Sequence, residues 1–174
     1  MPTQPPNSQT PQPLSGVRVL DFTRVLAGPY CTAMMADLGA DVIKVEAAHG
    51  DDYRHIGPFK DGESLLFQAI NRGKRSIALD LKSPDAIATV KALLADCDVL
   101  IENFRPGVME KLGLSYDALA KDFPHLVYVS VSGFGQTGPN TKKPAYDIIV
   151  QAMSGLMDAT GEPDGAPTMV GEAL

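Results

Sequence analysis

Residues 16–46, GVRVLDFTRVLAGPYCTAMMADLGADVIKVE, constrain the fold more than any other stretch of the chain. An apolar run through Val17, Val19, Leu20 and Phe22 breaks at Arg24-Val25-Leu26-Ala27-Gly28-Pro29. A helix opens there, because proline is tolerated at the first helical position, where its missing N–H costs nothing. A second apolar run, Asp41–Glu46, ends in a carboxylate. Two parallel strands joined by a crossover helix form the unit of nucleotide-binding α/β sheets, whose ligands sit at the carboxyl ends of the strands. Glu46 falls about where a dinucleotide fold places its ribose-binding acid. The turn, however, carries one glycine rather than G-x-G-x-x-G, so the backbone has no usual close approach to a pyrophosphate. The layout points to a nucleotide-like ligand and weighs against NAD or FAD.

The alternation continues. Strands are expected at Val17–Phe22, Asp41–Glu46, Ser76–Leu81, Val99–Glu102 and Leu126–Ser132. Helices are expected at Gly28–Leu38, Ser64–Asn71, from Ser83-Pro84-Asp85 onward, Gly107–Leu112, Ser115–Asp122 and Tyr146–Thr160. Ser83, Pro84 and Asp85 supply a cap residue, a first-turn proline and an acid near the positive helix end. Ile87, Val90, Leu94 and Cys97 recur at helical spacing and mark a buried face. The segment 47–63 reads as a polar loop, and Thr168–Val170 as the start of another strand. VLIE and VYVSV are nearly continuous apolar runs, as expected of strands covered on both faces. The fold class is therefore α/β, a Rossmann-like open, mainly parallel sheet with helices on both faces.

The chain has 174 residues and a net charge of −6, which argues against generic nucleic-acid binding. No apolar run reaches the roughly 20 residues that span a bilayer, so no membrane partner is expected. Cys31 and Cys97 show no metal-ligand or C-x-x-C spacing and read as small buried hydrophobes in a reducing compartment. The opening MPTQPPNSQTPQ lacks charge and an apolar core. Residues 1–13 read as a disordered tail rather than a secretion signal, and the protein as cytoplasmic.

Several strand-end segments carry chemistry. Arg72-Gly73-Lys74-Arg75 places three cations within four residues before the third strand. A phosphate subsite and a solvated basic turn both fit. Leu79 and Lys82 follow that strand. Asn103, Phe104 and Arg105 follow the fourth strand, offering an amide, an aromatic surface and a cation beside a helix start with free N–H groups. An ordinary strand-to-helix turn fits them equally well. Gly133, Phe134 and Gly135 follow the fifth strand, where glycine lets backbone N–H groups reach an oxyanion, or merely turns the chain. His49, His55 and His125 have no metal spacing and no partnered nucleophile, and no metal site is expected. Ser130 and Ser132 lie in no G-x-S-x-G elbow. Asp51-Asp52, Asp158, Glu162 and Asp164 read as solvated loop acids.

The segment LSGVRVLDFTRVLAGPYCTAMMADLGADVIKVE resembles the opening of class III CoA-transferases of the formyl-CoA:oxalate type. NRGKRSIALDLKSP, DVLIENFRPGVMEKLGL, YVSVSGFGQTGP and YDIIVQAMSGLMDATGEPDGAP resemble later family segments, in order and with family spacing. The resemblance implies coenzyme A as the handle of an acyl-CoA substrate and a carboxylic acid as acceptor. It implies cofactor contacts from Val25, Leu26 and Ala27, from Arg75, Leu79 and Lys82, from Asn103, Phe104, Arg105 and Lys111, and from Gly133 and Phe134. Leu26 replaces a polar residue of the formyl/oxalyl enzyme, which puts oxalate in doubt as acceptor.

In the family an aspartate that follows V-G-x-x-x-x attacks the thioester, giving an aspartyl anhydride and free CoA thiolate. Here Val170-Gly171-Glu172-Ala173-Leu174 ends the chain two residues short of that position. Glu172 stands at the wrong offset, so no catalytic residue is assigned. Residues 14–174 are read as the amino-terminal part of a CoA-binding large domain, inactive alone. The second domain and the returning carboxyl-terminal segment are read as lying beyond it, and the full-length enzyme is expected to be an interlocked homodimer.

An α-methylacyl-CoA racemase is similar over the same span. It pairs a His-Asp step with a later aspartate, and Tyr146, with a phenol pKa of about 10, suits neither acid nor base. A non-catalytic CoA-binding module is a further alternative for the chain by itself.

Overall fold

The computed structural model describes residues 12–171. The expected tail lies outside the described residues except for Gln12 and Pro13, which are exposed. Glu172 also lies outside them.

Five short strands form one sheet: β1 (Arg18–Asp21), β2 (Asp41–Glu46), β5 (Arg75–Ala78), β6 (Val99–Glu102) and β7 (Val127–Ser130). They lie in the order β5-β2-β1-β6-β7, and every pairing is parallel. β1 is central, with Val19 level with Val42 on one side and with Val99 on the other. The chain builds outward from β1 to β2 and β5, then crosses back to add β6 and β7. The direction of winding therefore reverses between β1 and β6, the place where open α/β sheets bind ligands.

Side chains alternate across the sheet because successive residues of a strand point to opposite faces. Leu20, Phe22, Ile43, Val45 and Leu100 face α3 (Pro84–Leu94), where Val90 and Leu94 are fully buried and Cys97 follows. Met109 of α4 (Val108–Lys111) and Leu119 of α5 (Tyr116–Leu119) complete that layer. Val19, Val42 and Ile101 face the other way, toward Cys31, Met35 and Ala36 of α1 (Ala27–Asp37). Helices thus cover both faces, as the doubly apolar strands require. Among the described residues no helix is long and apolar enough to cross a membrane.

The remaining elements refine the expectations. The segment read as a polar loop holds a 3₁₀ turn, Asp52–His55, and a small hairpin of β3 (Phe59–Lys60) and β4 (Glu63–Ser64). Asp61 and Gly62 turn that hairpin with φ of 52° and 84°, the geometry of a type I′ turn, for which Asp-Gly is a preferred pair. α2 (Leu65–Asn71) opens on Ser64, whose hydroxyl accepts from the Phe67 N–H at 3.2 Å. Ser83 takes the cap position of α3, but its side chain makes no capping bond. α6 runs only over Asp147–Ser154, not to Thr160, and the chain turns at Gly155. Thr168–Val170 is not a strand. It packs back instead, through Val170 N–H to Gln151 Oε1 at 2.9 Å.

Candidate functional site

The carboxyl ends of the strands converge on one rim. The β1–α1 turn brings Val25, Leu26 and Ala27 there. Val25 and Ala27 are exposed and Leu26 is half-buried. Leu79 and Lys82 leave β5, with Lys82 exposed and its N–H bonded to Asp80 at 3.1 Å. Asn103, Phe104 and Arg105 leave β6, Lys111 ends α4, and Gly133 and Phe134 leave β7. A cleft of about 320 Å³ opens beside Arg105, Gly107, Ser130 and Gln136, between the ends of β6 and β7. Among the described residues, Lys82, Arg105 and Lys111 form no ion pair. Such cations can meet phosphate oxygens without first breaking a protein contact.

Arg75, of the expected set, lies away from this rim. It starts β5 rather than ending it, and its guanidinium holds Asp41 at 2.7 Å. Its neighbours in the basic cluster are also engaged. Arg72 is bonded to Asp37, and Lys74 Nζ reaches Asp21 at 3.1 Å.

Glu46 likewise has partners of its own. Its carboxylate accepts two bonds from Arg54, at 2.7 and 2.6 Å, and one from the Ser76 hydroxyl. Burial would raise its pKa, but Arg54, Ser76 and the Asp51 amide outweigh that and hold it at about 2. It braces the loop after β2 and is not offered to a ribose.

Beneath the rim lies a buried polar cluster that sequence reasoning missed. Asp21 accepts from the Thr23 amide at 2.8 Å, from both the Thr23 and Thr32 hydroxyls, and from Lys74. Burial draws the Lys74 ammonium down to about 8, although Asp21 pulls the other way. Lys44, 1% exposed, donates to the Thr23 carbonyl at 2.7 Å and to Asp51 at 2.9 Å. Asp51 corrects the reading of a solvated acid: it is 4% exposed. Its partner Lys44 lies inside an apolar strand, DVIKVE, and a lysine there was the available signal.

The β1–α1 turn is unusual in its backbone. Val25 has φ of 70°, a left-handed conformation that is an outlier for a β-branched residue and costs on the order of 1–3 kcal/mol. Asn103 clamps the preceding residue from both sides: its Oδ1 accepts from Arg24 N–H at 2.9 Å and its Nδ2 donates to Arg24 O at 2.8 Å. Asn103 thereby ties the β6 end to the β1 end. Gly28 packs flat on Thr23, and a Cβ at that position would come within 2.3 Å of Thr23 Cβ. The lone glycine of this turn therefore serves helix-to-strand packing. Pro29 is the third residue of α1, where a missing N–H is still harmless.

His49 and His55 are exposed and bonded to each other's segment, His55 Nε2 lying 3.0 Å from the His49 carbonyl. The buried Cys97 thiol is pushed up by burial to about 11, so it is not a ready nucleophile. Among the described residues no group of three or more His, Cys, Asp or Glu is arranged to hold a metal ion.

Fold and rim define the class first: an α/β protein with an open parallel sheet whose strand-end loops form one edge. The chain belongs to CoA-transferase family III, whose family model matches residues 14–174. It is 55% identical over 160 residues to acetyl-CoA:oxalate CoA-transferase of Acetobacter aceti, covering 91% of this chain and 41% of that protein. It is 50% identical over 165 residues to succinyl-CoA:glutarate CoA-transferase of Mus musculus, covering 94% of this chain and 38% of that protein. Among solved structures, a CAIB/BAIF family protein from Brucella suis superposes with a TM-score of 0.89 at 45% identity. That match covers 94% of this chain and 45% of the other. The chain thus spans about two fifths of the length of the curated relatives it matches.

Proposed function

We propose that the longer protein of which this chain forms part transfers coenzyme A from an acyl-CoA thioester to a carboxylic acid. The observation that carries the reading is the rim. Four of the chain's segments that resemble family CoA contacts leave the same edge of one sheet, after β1, β5, β6 and β7, and Lys82, Arg105 and Lys111 have no ion pair among the described residues. In this reading Lys82, Arg105 and Lys111 meet the phosphates, and Leu79 and Phe104 flank the adenine. Val25–Ala27 and Gly133–Phe134 line the arm that ends in the thioester. Charged phosphates favour such a rim, because each cation there gains a charge-assisted bond without losing one. The attacking carboxylate of the reading is an aspartate just past Leu174, and the assembly an interlocked, cytoplasmic homodimer.

The acceptor is a dicarboxylic acid. The relatives are named for oxalate, glutarate, mesaconate and citramalate as acceptors. In this reading Leu26 lines the acyl pocket with an apolar side chain that offers no hydrogen bond. An acid with methylenes between its carboxylates gains apolar contact there, and oxalate gains none. The relatives' names favour transfer over racemisation.

The test is a transfer assay on the full-length protein. Acetyl-CoA or succinyl-CoA is supplied with oxalate, succinate, glutarate or mesaconate, and the new thioester is followed by mass spectrometry. Expected is exchange with a four- or five-carbon acid exceeding that with oxalate. No exchange with any pair, together with loss of α-deuterium from a 2-methylacyl-CoA, would establish racemisation in its place.

A further inference from the structure

The buried pair Lys44–Asp51 lies beneath the candidate rim, and its bonds end on the β1–α1 turn that forms part of it. Lys44 Nζ fixes the Thr23 carbonyl at 2.7 Å and Asp51 Oδ2 at 2.9 Å. Asp51 Oδ1 in turn accepts from the Val25 N–H at 3.4 Å and the Tyr53 N–H at 3.0 Å. The Asp51 amide is itself anchored on Glu46 Oε2 at 2.9 Å. With Asn103 holding Arg24 on both sides, the backbone at positions 23, 24 and 25 is held by side chains from three other segments.

Two physical facts make this arrangement informative. A buried lysine–carboxylate pair is a poor way to gain stability, since desolvation consumes most of the attraction, and an apolar pair of similar size does as well. A valine at φ 70° persists only where its surroundings over-determine it. The pair sits where such over-determination is needed, directly under the left-handed residue. We infer that Asp51 and Lys44 are positioning residues for the acyl-pocket turn: they hold Val25 in its left-handed conformation so that Val25–Ala27 meet the thioester end of the substrate. The inference rests on the proposed CoA site and names the groups that shape it.

The test uses the full-length protein in two backgrounds, native and Val25→Gly. Glycine adopts a positive φ without the Cβ penalty, so a turn that contains it no longer depends on the brace. For each background, Asp51→Asn is compared with its parent by calorimetric titration of coenzyme A, by KM and kcat with succinyl-CoA, and by thermal melting. Expected in the native background is a rise in the succinyl-CoA KM of about tenfold, with free coenzyme A affinity changed less than threefold. Expected in the Val25→Gly background is a change in KM below twofold from the same substitution. If Asp51→Asn does not fold, Lys44→Gln is read in both backgrounds by the same criterion. An unchanged KM in the native background overturns the inference, as does an equal KM effect in both backgrounds, which would mark general stabilisation. A parent protein that takes up no coenzyme A at all overturns the proposed function as well, and so distinguishes the two failures.

Discussion

The two rims of the sheet use charge in opposite ways. At the amino rim, Arg18 and Arg75 both close on Asp41, at 2.9 and 2.7 Å, and Asp98 accepts from the Arg18 amide at 2.8 Å. The Arg75 bond, followed by that from Arg18, keeps the Asp41 carboxyl below its usual range. The charges there answer one another. At the carboxyl rim the acids Asp21, Glu46, Asp51 and Glu102 are buried and committed, while Lys82, Arg105 and Lys111 point outward without partners among the described residues. A cation's place in the sequence does not tell these cases apart. Arg75 and Lys82 lie seven positions apart on one strand–loop segment and sit at opposite ends of it.

The contrast can be broken by experiment, beginning with the largest effect. Gly28→Ala forces a methyl into Thr23 at the carboxyl rim, and should destabilise the protein by about 3 kcal/mol or more. Urea unfolding measures it, and a loss under 1 kcal/mol would show that the α1–β1 contact yields easily.

Acid comes next. Glu46 has its pKa lowered from 4.5 to about 2, so its contribution is present above pH 4.5 and is lost as pH falls toward 2. Because Arg54 is 39% exposed, solvent screening reduces the effect to on the order of 1–2 kcal/mol. Glu46→Gln should flatten the acid limb of a stability–pH curve. An identical limb in the variant argues that other carboxylates govern acid unfolding.

Arg105→Ala should weaken coenzyme A about tenfold, which corresponds to roughly 1.4 kcal/mol, with melting temperature unchanged. Calorimetry on the full-length protein is the measurement, and equal affinity would remove Arg105 from the site. Arg75→Ala should do the reverse, costing less than about 1 kcal/mol of stability, as exposed pairs do, and leaving coenzyme A affinity within twofold. A tenfold loss there would bring the amino rim into the site and dissolve the contrast.

Much of this was legible. Strands β2 and β6 stand where the apolar runs place them, because strands covered on both faces read as nearly continuous apolar runs. The helix α3 and its buried Val90 and Leu94 follow from their spacing, while Ile87 is only partly buried and Cys97, buried too, lies past the helix end. The rim follows from the rule that parallel-sheet ligands bind at carboxyl ends, applied to the segments after β1, β5, β6 and β7.

What escaped has physical reasons. Pairing between distant charges is a tertiary property, so the Asp41–Arg75 contact has no local signature, and the burial of Asp51 has one only in its partner, the lysine inside β2. The Asp61-Gly62 hairpin did have one, but its strands are two residues each and show no period. The left-handed Val25 was illegible in principle, since nothing about a valine announces a conformation it disfavours. The length of α6 was overestimated because its apolar pattern runs on past Gly155.

The central place of β1 has a consequence for the order in which the molecule can be assembled. Of the five strands of the described sheet, the one synthesised first takes the middle. One flank is supplied within the next two dozen residues, by β2, but the other waits for β6, some 80 positions downstream. Until β6 arrives, one edge of β1 offers unsatisfied amides and carbonyls to any passing strand. Synthesis therefore carries this protein through an interval in which its future centre is still a border.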